Sequence, residues 1–292
     1  MGKYSIRELE KLSGTKAHTI RIWEKRYNIV EPQRTNSNIR FYSDDDLKRI
    51  INVSLLTSHG FRISTVADMS ADELNNKVSE ISTTNDHMGI HVDGLISAML
   101  DLEEDTFEEK LQSFDHKFGF ERTITEVVYP FLEKIGILWQ TGNISPAHEH
   151  FISNLVRQKI IVAIASLPMP ARNTLRAVLF LPENELHEIG LLFYHYLVKK
   201  SGIRTYYLGQ AVPHNDLKII YEVHKPHYLI TSLTSPPTLM LLNSYLDLLA
   251  KDFPSSKILA SGAVLRKSSF NHHDNIKFFE TAVELKGILN SA

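Results

Sequence analysis

The fold of the second half of the chain is decided by residues 178–190, which read VLFLPENELHEIG. An apolar run of strand length is followed by a polar loop and then by the first turn of a helix. The loop carries Glu185, then His187 two residues later and Gly190 three residues after that. An imidazole placed there lies at the carboxyl end of a strand, where open α/β sheets bind ligands. This loop is therefore the first candidate ligand site.

Strands and helices alternate from residue 174 to the end. The predicted strands are Ala177–Leu181, Arg204–Leu208, Tyr228–Leu233, Lys257–Ala260 and Ile276–Phe279. Helical segments separate them, and such alternation predicts a parallel, doubly wound sheet. The length suits one α/β domain of the flavodoxin-like type, over residues 174–292.

The middle of the chain is predicted to be helical. Amphipathic segments cover about 87–103, 105–118, 120–138 and 146–166, which predicts a four-helix bundle over residues 86–170. Pro130 is expected to kink the third helix or to mark a start within it. Residues 81–86 are interpreted as the linker in front of the bundle.

The first 75 residues form the third predicted domain. Ser5 and Glu8 make a capping box for a first short helix, Ser13-Gly14 makes a turn, and Thr15 is expected to cap a second helix. Two short helices joined by a glycine turn indicate a helix-turn-helix. Residues 31–42 then predict two short extended pieces around a turn, which form a small wing.

The charge distribution points to a polyanion at this end. Residues 1–65 carry 12 Lys and Arg against 7 Asp and Glu, whereas residues 66–121 carry 3 against 14. The alternative is an ordinary basic face on a small helical domain. The residue types suited to phosphates and base edges are Lys16, His18, Thr19, Arg21, Arg26, Tyr27, Arg34, Arg40 and Tyr42.

The composition excludes several classes of protein. The chain has 292 residues and no cysteine, so we expect neither a disulfide framework nor thiolate chemistry. We find no apolar run of about 18 residues and no apolar signal region, which predicts a cytoplasmic protein. Nucleophile motifs, paired carboxylates and phosphate loops are absent from the sequence, so we do not expect an enzyme.

The N-terminal segment resembles the winged DNA-binding domain of the MerR family. The resemblance covers residues 1 to about 72 and lies in YSIREL at 4–9, TIRIWEKRY at 19–27 and RFYS at 40–43. It implies a dimer that binds two half-sites on DNA. Most relatives dimerise through a long helix after the wing, whereas residues 64–86 here are interrupted by polar residues, so assembly is expected to use another surface.

On the residues alone, His187 is more readily an ordinary polar side chain at a helix start than a ligand. Glu185 is placed to accept a hydrogen bond from one ring nitrogen, which makes the other nitrogen a better metal ligand. In the bundle, Trp139 is followed after nine residues by Glu149 and His150. A metal site on residues 148–150 is disfavoured, because neighbours on a helix point apart.

A second resemblance joins these features. ELHEIG at 185–190 resembles the cobalamin-binding signature, whose usual first residue is Asp, and LGQAVP at 208–213 resembles the strand and loop that follow it. Ser232, Thr234 and Ser261-Gly262 stand where that fold holds the nucleotide tail. The order of modules over residues 3–290 resembles the CarH/LitR/CarA group of B12-dependent, light-sensing MerR-type repressors.

This resemblance implies adenosylcobalamin as cofactor and double-stranded operator DNA as partner. His187 would bind cobalt from below, and Trp139, Glu149 and His150 would pack on the adenosyl group above. Glu185, Gly190, Leu208, Gly209, Ser232, Thr234, Ser261 and Gly262 complete the implied cofactor site. In this group, dark-state tetramers hold DNA, and light cleaves the cobalt–carbon bond and releases it.

Two departures from the group keep alternatives open. Gln140 follows Trp139, whereas light-sensing members have a histidine there that binds cobalt after photolysis. Ser261 replaces the first of two paired glycines and is expected to crowd the nucleotide tail. The alternatives are a MerR-type regulator that works without light or without cobalamin, and a corrinoid carrier protein for methyl transfer.

Overall fold

The computed structural model describes residues 3–35, 38–84, 88–140, 144–234, 239–265 and 270–291. Of residues 79–84, 88–90, 137–140, 239 and 240 it describes the backbone only. The chain divides into two compact units, Met1–Leu155 and Val156–Ala292. No helix in the described part of the chain is both long enough and apolar enough to cross a membrane. The predicted domain limits at residues 75, 86, 170 and 174 stay predictions.

The first unit begins with the predicted pair of short helices, α1 (Ile6–Ser13) and α2 (Ala17–Tyr27). The capping box of α1 is present, with the Ser5 hydroxyl accepting from the Glu8 amide and the Glu8 carboxylate accepting from the Ser5 amide. Gly14 ends α1 with a φ of 72°, a left-handed conformation that glycine adopts without steric cost. The predicted helix-turn-helix is therefore confirmed.

The start of α2 corrects the prediction for Thr15. Lys16 is the N-cap residue, and its side chain makes no capping hydrogen bond. The Thr15 hydroxyl donates to Ser54 Oγ at 2.8 Å, while the Ala17 amide donates to Glu10 Oε2 at 3.2 Å. A carboxylate on α1 thus satisfies an amide that the sequence assigns to a neighbouring hydroxyl, because the tight turn brings the two helices together.

A two-stranded antiparallel hairpin follows α2, formed by β1 (Gln33–Arg34) and β2 (Arg40–Phe41). Directly after β2, Tyr42 forms an isolated bridge with Tyr4, and both tyrosines are fully buried. The base of the hairpin is therefore fixed to the segment in front of α1. The two extended pieces predicted within residues 31–42 are present.

Three helices, α3 (Asp44–Ser58), α4 (Ile63–Ala67) and α5 (Ala71–Thr84), complete this part of the unit. The chain is interrupted between α4 and α5, as predicted for residues 64–86. The linker prediction is wrong for residues 81–84, which continue α5, while 85 and 86 lie outside the described residues. Leu74 and Val78 are buried one helical turn apart, so tertiary packing outweighs the low helix propensity of the Asn, Ser and Thr residues.

The rest of the first unit is helical in the predicted segments, and the last helix continues into the second unit. The helices are α6 (Met88–Leu100), α7 (Glu104–Phe118), α8 (Phe120–Arg122), α9 (Tyr129–Gln140) and α10 (Pro146–Ser166). Between α8 and α9, Thr123–Val128 form a π-helical turn. Pro130, which has no N–H to donate, lies in the first turn of α9, so it marks a helix start within the third predicted segment, which is one of the two predicted alternatives. Their arrangement as a four-helix bundle stays a prediction.

The second unit contains a five-stranded parallel sheet. Its strands are β3 (Arg176–Pro182), β4 (Arg204–Val212), β5 (Tyr228–Ser232), β6 (Lys257–Ser261) and β7 (Ile276–Phe278). The order is β4-β3-β5-β6-β7, which is the 2-1-3-4-5 order of flavodoxin-like folds. All five predicted strands are present. β4 is added on one side of β3 and the later strands on the other side, so the strand order reverses at β3.

Four helices, α11 (Ile189–Lys200), α12 (His214–His224), α13 (Leu239–Asp252) and α14 (Ala282–Asn290), connect or follow the strands. One core cluster joins the buried strand residues Val178, Phe180, Leu229 and Ile258 to Phe253. β4 runs four residues beyond its predicted end at Leu208, because two register shifts against β3 absorb the extra length.

Candidate functional site

The loop after β3 presents His187 at the carboxyl edge of the sheet. Asn184, with a φ of 67°, turns the chain, and the Glu185 amide donates to the Pro182 carbonyl at 3.1 Å. The loop therefore makes a tight turn directly after β3, and the residues that follow lie at the carboxyl edge of the sheet. The His187 side chain is 64% exposed, while Glu185 beside it is buried.

Glu185 fixes the histidine with one oxygen and the neighbouring loop with the other. Its Oε1 lies 2.7 Å from His187 Nδ1 and accepts from the His187 amide at 3.0 Å. Its Oε2 accepts from the Thr234 amide, just beyond β5, at 2.7 Å. Because an ionised carboxylate only accepts, a neutral His187 in this contact carries its proton on Nδ1 and its lone pair on Nε2, which a metal can use.

This geometry explains how a glutamate serves where the signature has aspartate. One additional methylene lets the carboxylate span from the His187 ring to the Thr234 amide. The predicted residues Glu185, His187 and Thr234 are therefore brought together.

Near α11, two of the other predicted residues end strands, with Ser232 at the end of β5 and Ser261 at the end of β6. A Cβ built on Gly190 would lie 3.7 Å from Ser232 Oγ, so α11 passes close to β5. Ser261 is buried, and its Oγ lies 3.0 Å from the Tyr194 hydroxyl. The Ser261 side chain therefore contacts Tyr194 on α11.

Gly209 lies inside β4 rather than in a loop after it. Its φ is 78°, and it falls where β4 shifts register against β3. Leu208, also predicted, precedes it on the same strand and packs against the core cluster. The sequence interpreted residues 208–213 as strand and loop, and the strand is longer because the register shifts let pairing continue.

Sequence reasoning missed a buried acid directly after the histidine. Glu188 accepts from Arg157 Nε at 2.5 Å and from the Tyr207 hydroxyl at 2.9 Å. Burial, followed by the Glu188 charge, raises the pKa of Tyr207. Burial lowers the pKa of His195, which stacks on Tyr207, to about 4. The only signal in the sequence was an acidic residue at a helix start.

The predicted cap residues lie in the first unit. Trp139 is in the last turn of α9, and its side chain is outside the described residues. Glu149 Oε2 lies 3.0 Å from His150 Nδ1, and Glu149 Oε1 accepts from the Ser153 hydroxyl at 2.5 Å. His150 is 73% exposed, so its ring is accessible from solvent.

At the other end of the first unit, α2 presents a basic face. Its core-facing residues Ile20 and Trp23 are buried, as their helical spacing predicts. The predicted DNA contacts that are exposed are Lys16, His18, Arg21, Arg26, Arg34 and Arg40, and Thr19 and Tyr27 are half-buried. Lys16 Nζ also pairs with Glu10 Oε1 at 3.1 Å.

Tyr42 requires a correction. Its side chain is completely buried, so it does not form part of the exposed face with which the sequence groups it. The hydroxyl donates to Glu24 Oε2 at 3.1 Å, and Arg40 Nε donates to Glu24 Oε1 at 3.2 Å. Tyr42 therefore joins the hairpin to α2. Glu24 is the residue that the sequence analysis missed here.

Two family models match consecutive segments of the chain. Residues 4–73 match the family of MerR HTH family regulatory proteins, and residues 92–163 match the B12 binding domain. The first match covers the helix-turn-helix, the hairpin and the helices as far as the start of α5. The second covers most of α6 and continues into α10. The chain thus contains, in this order, a segment similar to MerR-type regulators and a segment similar to the B12 binding domain.

Two curated relatives share this arrangement over most of the chain. The HTH-type transcriptional repressor CarH of Myxococcus xanthus is 28% identical over 224 residues, which are 73% of this chain and 73% of the relative. The HTH-type transcriptional repressor CarA of the same organism is 26% identical and covers 71% of this chain and 68% of the relative. The predicted resemblance to this group of repressors is confirmed.

A solved structure shows the same fold. The monomethylamine corrinoid protein of Methanosarcina barkeri aligns with a TM-score of 0.53 and 16% identity, over 68% of this chain and 96% of that protein. At this identity the likeness concerns the fold alone.

The residues of the second unit fit a cobalamin by their chemistry. A neutral imidazole with its lone pair on Nε2 is a cobalt ligand, and a buried carboxylate holds it at the sheet edge. In the described residues, no group of three or more His, Cys, Asp and Glu side chains is arranged to hold a metal ion.

Proposed function

We propose that this protein is a DNA-binding transcriptional repressor that binds adenosylcobalamin and releases DNA when light removes the upper ligand of the cofactor. The observation that carries the proposal is the buried Glu185 carboxylate, which holds His187 Nδ1 at 2.7 Å in a chain that also has a MerR-type domain. The relatives named as repressors support the sign of the regulation.

At the sheet edge, the proposed work of the chain is to bind and orient. His187 Nε2 would hold the cobalt, and Glu185 would keep the ring in the tautomer that leaves this nitrogen unprotonated. Gly190, Ser232, Thr234, Ser261 and Gly262 would hold the nucleotide tail, together with Leu208 and Gly209. When bound, the cofactor supplies a cobalt–carbon bond that light can break.

In the helical region, Trp139, Glu149 and His150 are proposed to pack on the upper ligand. Glu149 and His150 are one pair in the structure, so they would respond together when that ligand is lost. The proposed consequence is a change in how copies of the chain assemble. Such a change couples two distant sites through the oligomer.

At the DNA end, the exposed cations of α2 and the hairpin are proposed to bind phosphates and base edges, with the hairpin acting as a wing. A homodimer or tetramer engages several half-sites at once, so loss of assembly lowers DNA occupancy through loss of avidity. The long stretch of acidic sequence after residue 65 keeps this contact confined to the N-terminal end.

One alternative has an observation in its favour. Gln140 stands where light-sensing relatives have the second cobalt-binding histidine, and an amide is a poor cobalt ligand. A regulator that senses the cofactor without responding to light is therefore the second candidate. The corrinoid-carrier alternative has the shared fold in its favour, but carriers have no use for a MerR-type domain.

The test is cofactor binding in the dark. Purified full-length protein mixed with adenosylcobalamin should retain the coloured cofactor through gel filtration. His187→Ala should weaken binding by more than about 10-fold. His272→Ala is the matched control, because His272 is 89% exposed and lies on the loop before β7. A wild-type protein that elutes colourless would refute the proposal.

A further inference from the structure

We propose that Arg157, Glu188 and Tyr207, here called the Glu188 cluster, are positioning residues that hold the His187 loop in the geometry for binding cobalt. This inference rests on the proposed function and deepens it. Glu188 lies within the ELHEIG segment, where the resemblance gives it no role, and Arg157 and Tyr207 lie outside the segments that carry the resemblance. Their assignment comes from contacts in the folded second unit.

Glu188 behaves unlike an ordinary acid at a helix start. It is the N-cap residue of α11, yet its side chain makes no capping hydrogen bond. An N-cap carboxylate normally accepts from the amides of its own helix. Here both oxygens turn away, Oε1 to Arg157 Nε at 2.5 Å and Oε2 to the Tyr207 hydroxyl at 2.9 Å.

The burial of Glu188 makes these two contacts necessary. Only 7% of the residue is exposed, and a buried carboxylate is costly unless it is paired and hydrogen-bonded. Arg157 on α10 supplies the charge, and Tyr207 on β4 supplies a second donor. If either contact is lost, the most direct relief for Glu188 is to turn towards solvent, and His187 is its immediate neighbour in the chain.

Tyr207 is itself held in place. Its ring stacks on His195 with the centroids 5.0 Å apart and an interplanar angle of 12°. His195 Nε2 lies 2.9 Å from the hydroxyl oxygen of Thr205, which is two residues before Tyr207 on β4. The hydroxyl that Tyr207 offers to Glu188 is therefore fixed by a strand and by a helix.

The cluster also borders the second candidate segment of the site. A Cβ on Gly209 would lie 3.5 Å from Tyr207 Cε1 and 3.9 Å from Glu188 Oε2. One carboxylate thus links α10, the His187 loop and β4 near Gly209. Glu185 fixes the histidine ring, whereas the Glu188 cluster fixes the backbone from which that ring extends.

The experiment uses the full chain, labelled with ¹⁵N-histidine, and cob(II)alamin as the probe under anaerobic conditions. Electron paramagnetic resonance then reports the atom below cobalt. A ¹⁵N-histidine ligand splits the signal into doublets, the cofactor's own ¹⁴N base gives triplets, and water gives no nitrogen splitting. The affinity is measured in parallel by equilibrium dialysis.

Glu188→Gln and Tyr207→Phe keep the shape of the cluster and remove its charge or its hydroxyl. We expect the wild type to show doublets, and we expect both variants to lose part of them to triplets or unsplit signal. The affinity should fall about 10-fold in Glu188→Gln and less in Tyr207→Phe. Glu183→Gln is the matched control, since Glu183 is exposed in the same loop.

Arg157→Gln completes a double-variant cycle. If Arg157 acts through Glu188, the double variant with Glu188→Gln should lose no more affinity than Glu188→Gln alone. Wild-type doublets and affinity in both Glu188→Gln and Tyr207→Phe would overturn the inference. A wild type that binds no cob(II)alamin would instead refute the proposed function. Should Glu188→Gln fail to fold by circular dichroism, Tyr207→Phe decides.

Discussion

Gly262 has a conformation that only glycine adopts readily. Its φ is 125°, and a Cβ built on it would lie 2.1 Å from the Leu233 carbonyl oxygen. The obstacle is the backbone at the end of β5, which cannot rotate aside as a long side chain would. Gly262 therefore allows the chain to pass close to Leu233 where β5 and β6 end.

We expect Gly262→Ala to destabilise the second unit by about 3 kcal/mol, because backbone strain and a steric clash act together. Hydrogen–deuterium exchange of the β5 and β6 amides measures the effect. Gly202→Ala is the control, since Gly202 has a φ of 78° but nothing within 4 Å of its Cβ position. That variant should lose only about 1 kcal/mol. Equal losses in the two variants would contradict the clash.

At individual positions, the sequence predicted contacts between residues that are close together in the chain. Glu185 and His187 are two residues apart after an apolar strand, so their pairing follows from local order. Glu188 pairs with Arg157, 31 positions earlier, and with Tyr207, 19 positions later. No pattern in the sequence connects such residues, so this cluster emerged only from the fold.

Helix α2 and the hairpin are joined by Glu24. Its two oxygens accept from Arg40 and Tyr42, which stand on the second arm of the hairpin and directly after it. Burial and then the Glu24 charge raise the pKa of Tyr42, so the hydroxyl stays protonated and donates. The orientation of the hairpin relative to α2 therefore depends on this acid.

We expect Glu24→Gln to lower the preference for specific over random DNA about 5- to 10-fold, because Arg40 loses a charge-assisted hydrogen bond that fixes its direction. The assay compares affinity for duplexes selected in vitro by the wild type with affinity for random duplexes. Glu31→Gln removes an equal charge from an exposed position near β1 and serves as the control. A similar change in both variants would show a general charge effect instead.

Periodicity and capping residues predicted the presence of helices and strands better than they predicted the type and the limits of each helix. All five strands of the sheet were found, because strands and helices alternate along this half of the chain, and this alternation identified even the short β7 with its central lysine. The π-helical turn at Thr123–Val128 was not, since its apolar residues also fit an ordinary helix. The helical state of residues 81–84 was missed because their polar composition is outweighed by packing elsewhere on α5.

Assembly of the whole molecule should depend on cofactor and light together. Wild-type protein with adenosylcobalamin is expected to elute earlier from a size-exclusion column in the dark than without cofactor, and green light should reverse the shift. His187→Ala should show no early species in either condition. DNA affinity should follow the early species and fall steeply with salt.

The two candidate functions diverge in this measurement. An early species that persists after illumination would favour a regulator that senses cofactor but not light, in agreement with Gln140. Absence of the early species in the dark would contradict cofactor-driven assembly altogether. The pattern of modules predicted the type of regulator. We expect the side chain at position 140 to decide whether light is sensed, and the order of modules does not predict that residue.

The crossover at β3 has a consequence for the order of events during synthesis. β3 pairs with β5, so Leu179 lies opposite Ile230, and Glu185 reaches the Thr234 amide across 49 positions of chain. Contacts between such distant segments form late, after the intervening loop has been closed. The His187 loop therefore reaches its final shape only once β5 has been made. A nascent chain that ends before residue 234 contains His187 but lacks the Thr234 amide that holds Glu185. We therefore expect cofactor binding only after the rest of the sheet has been made.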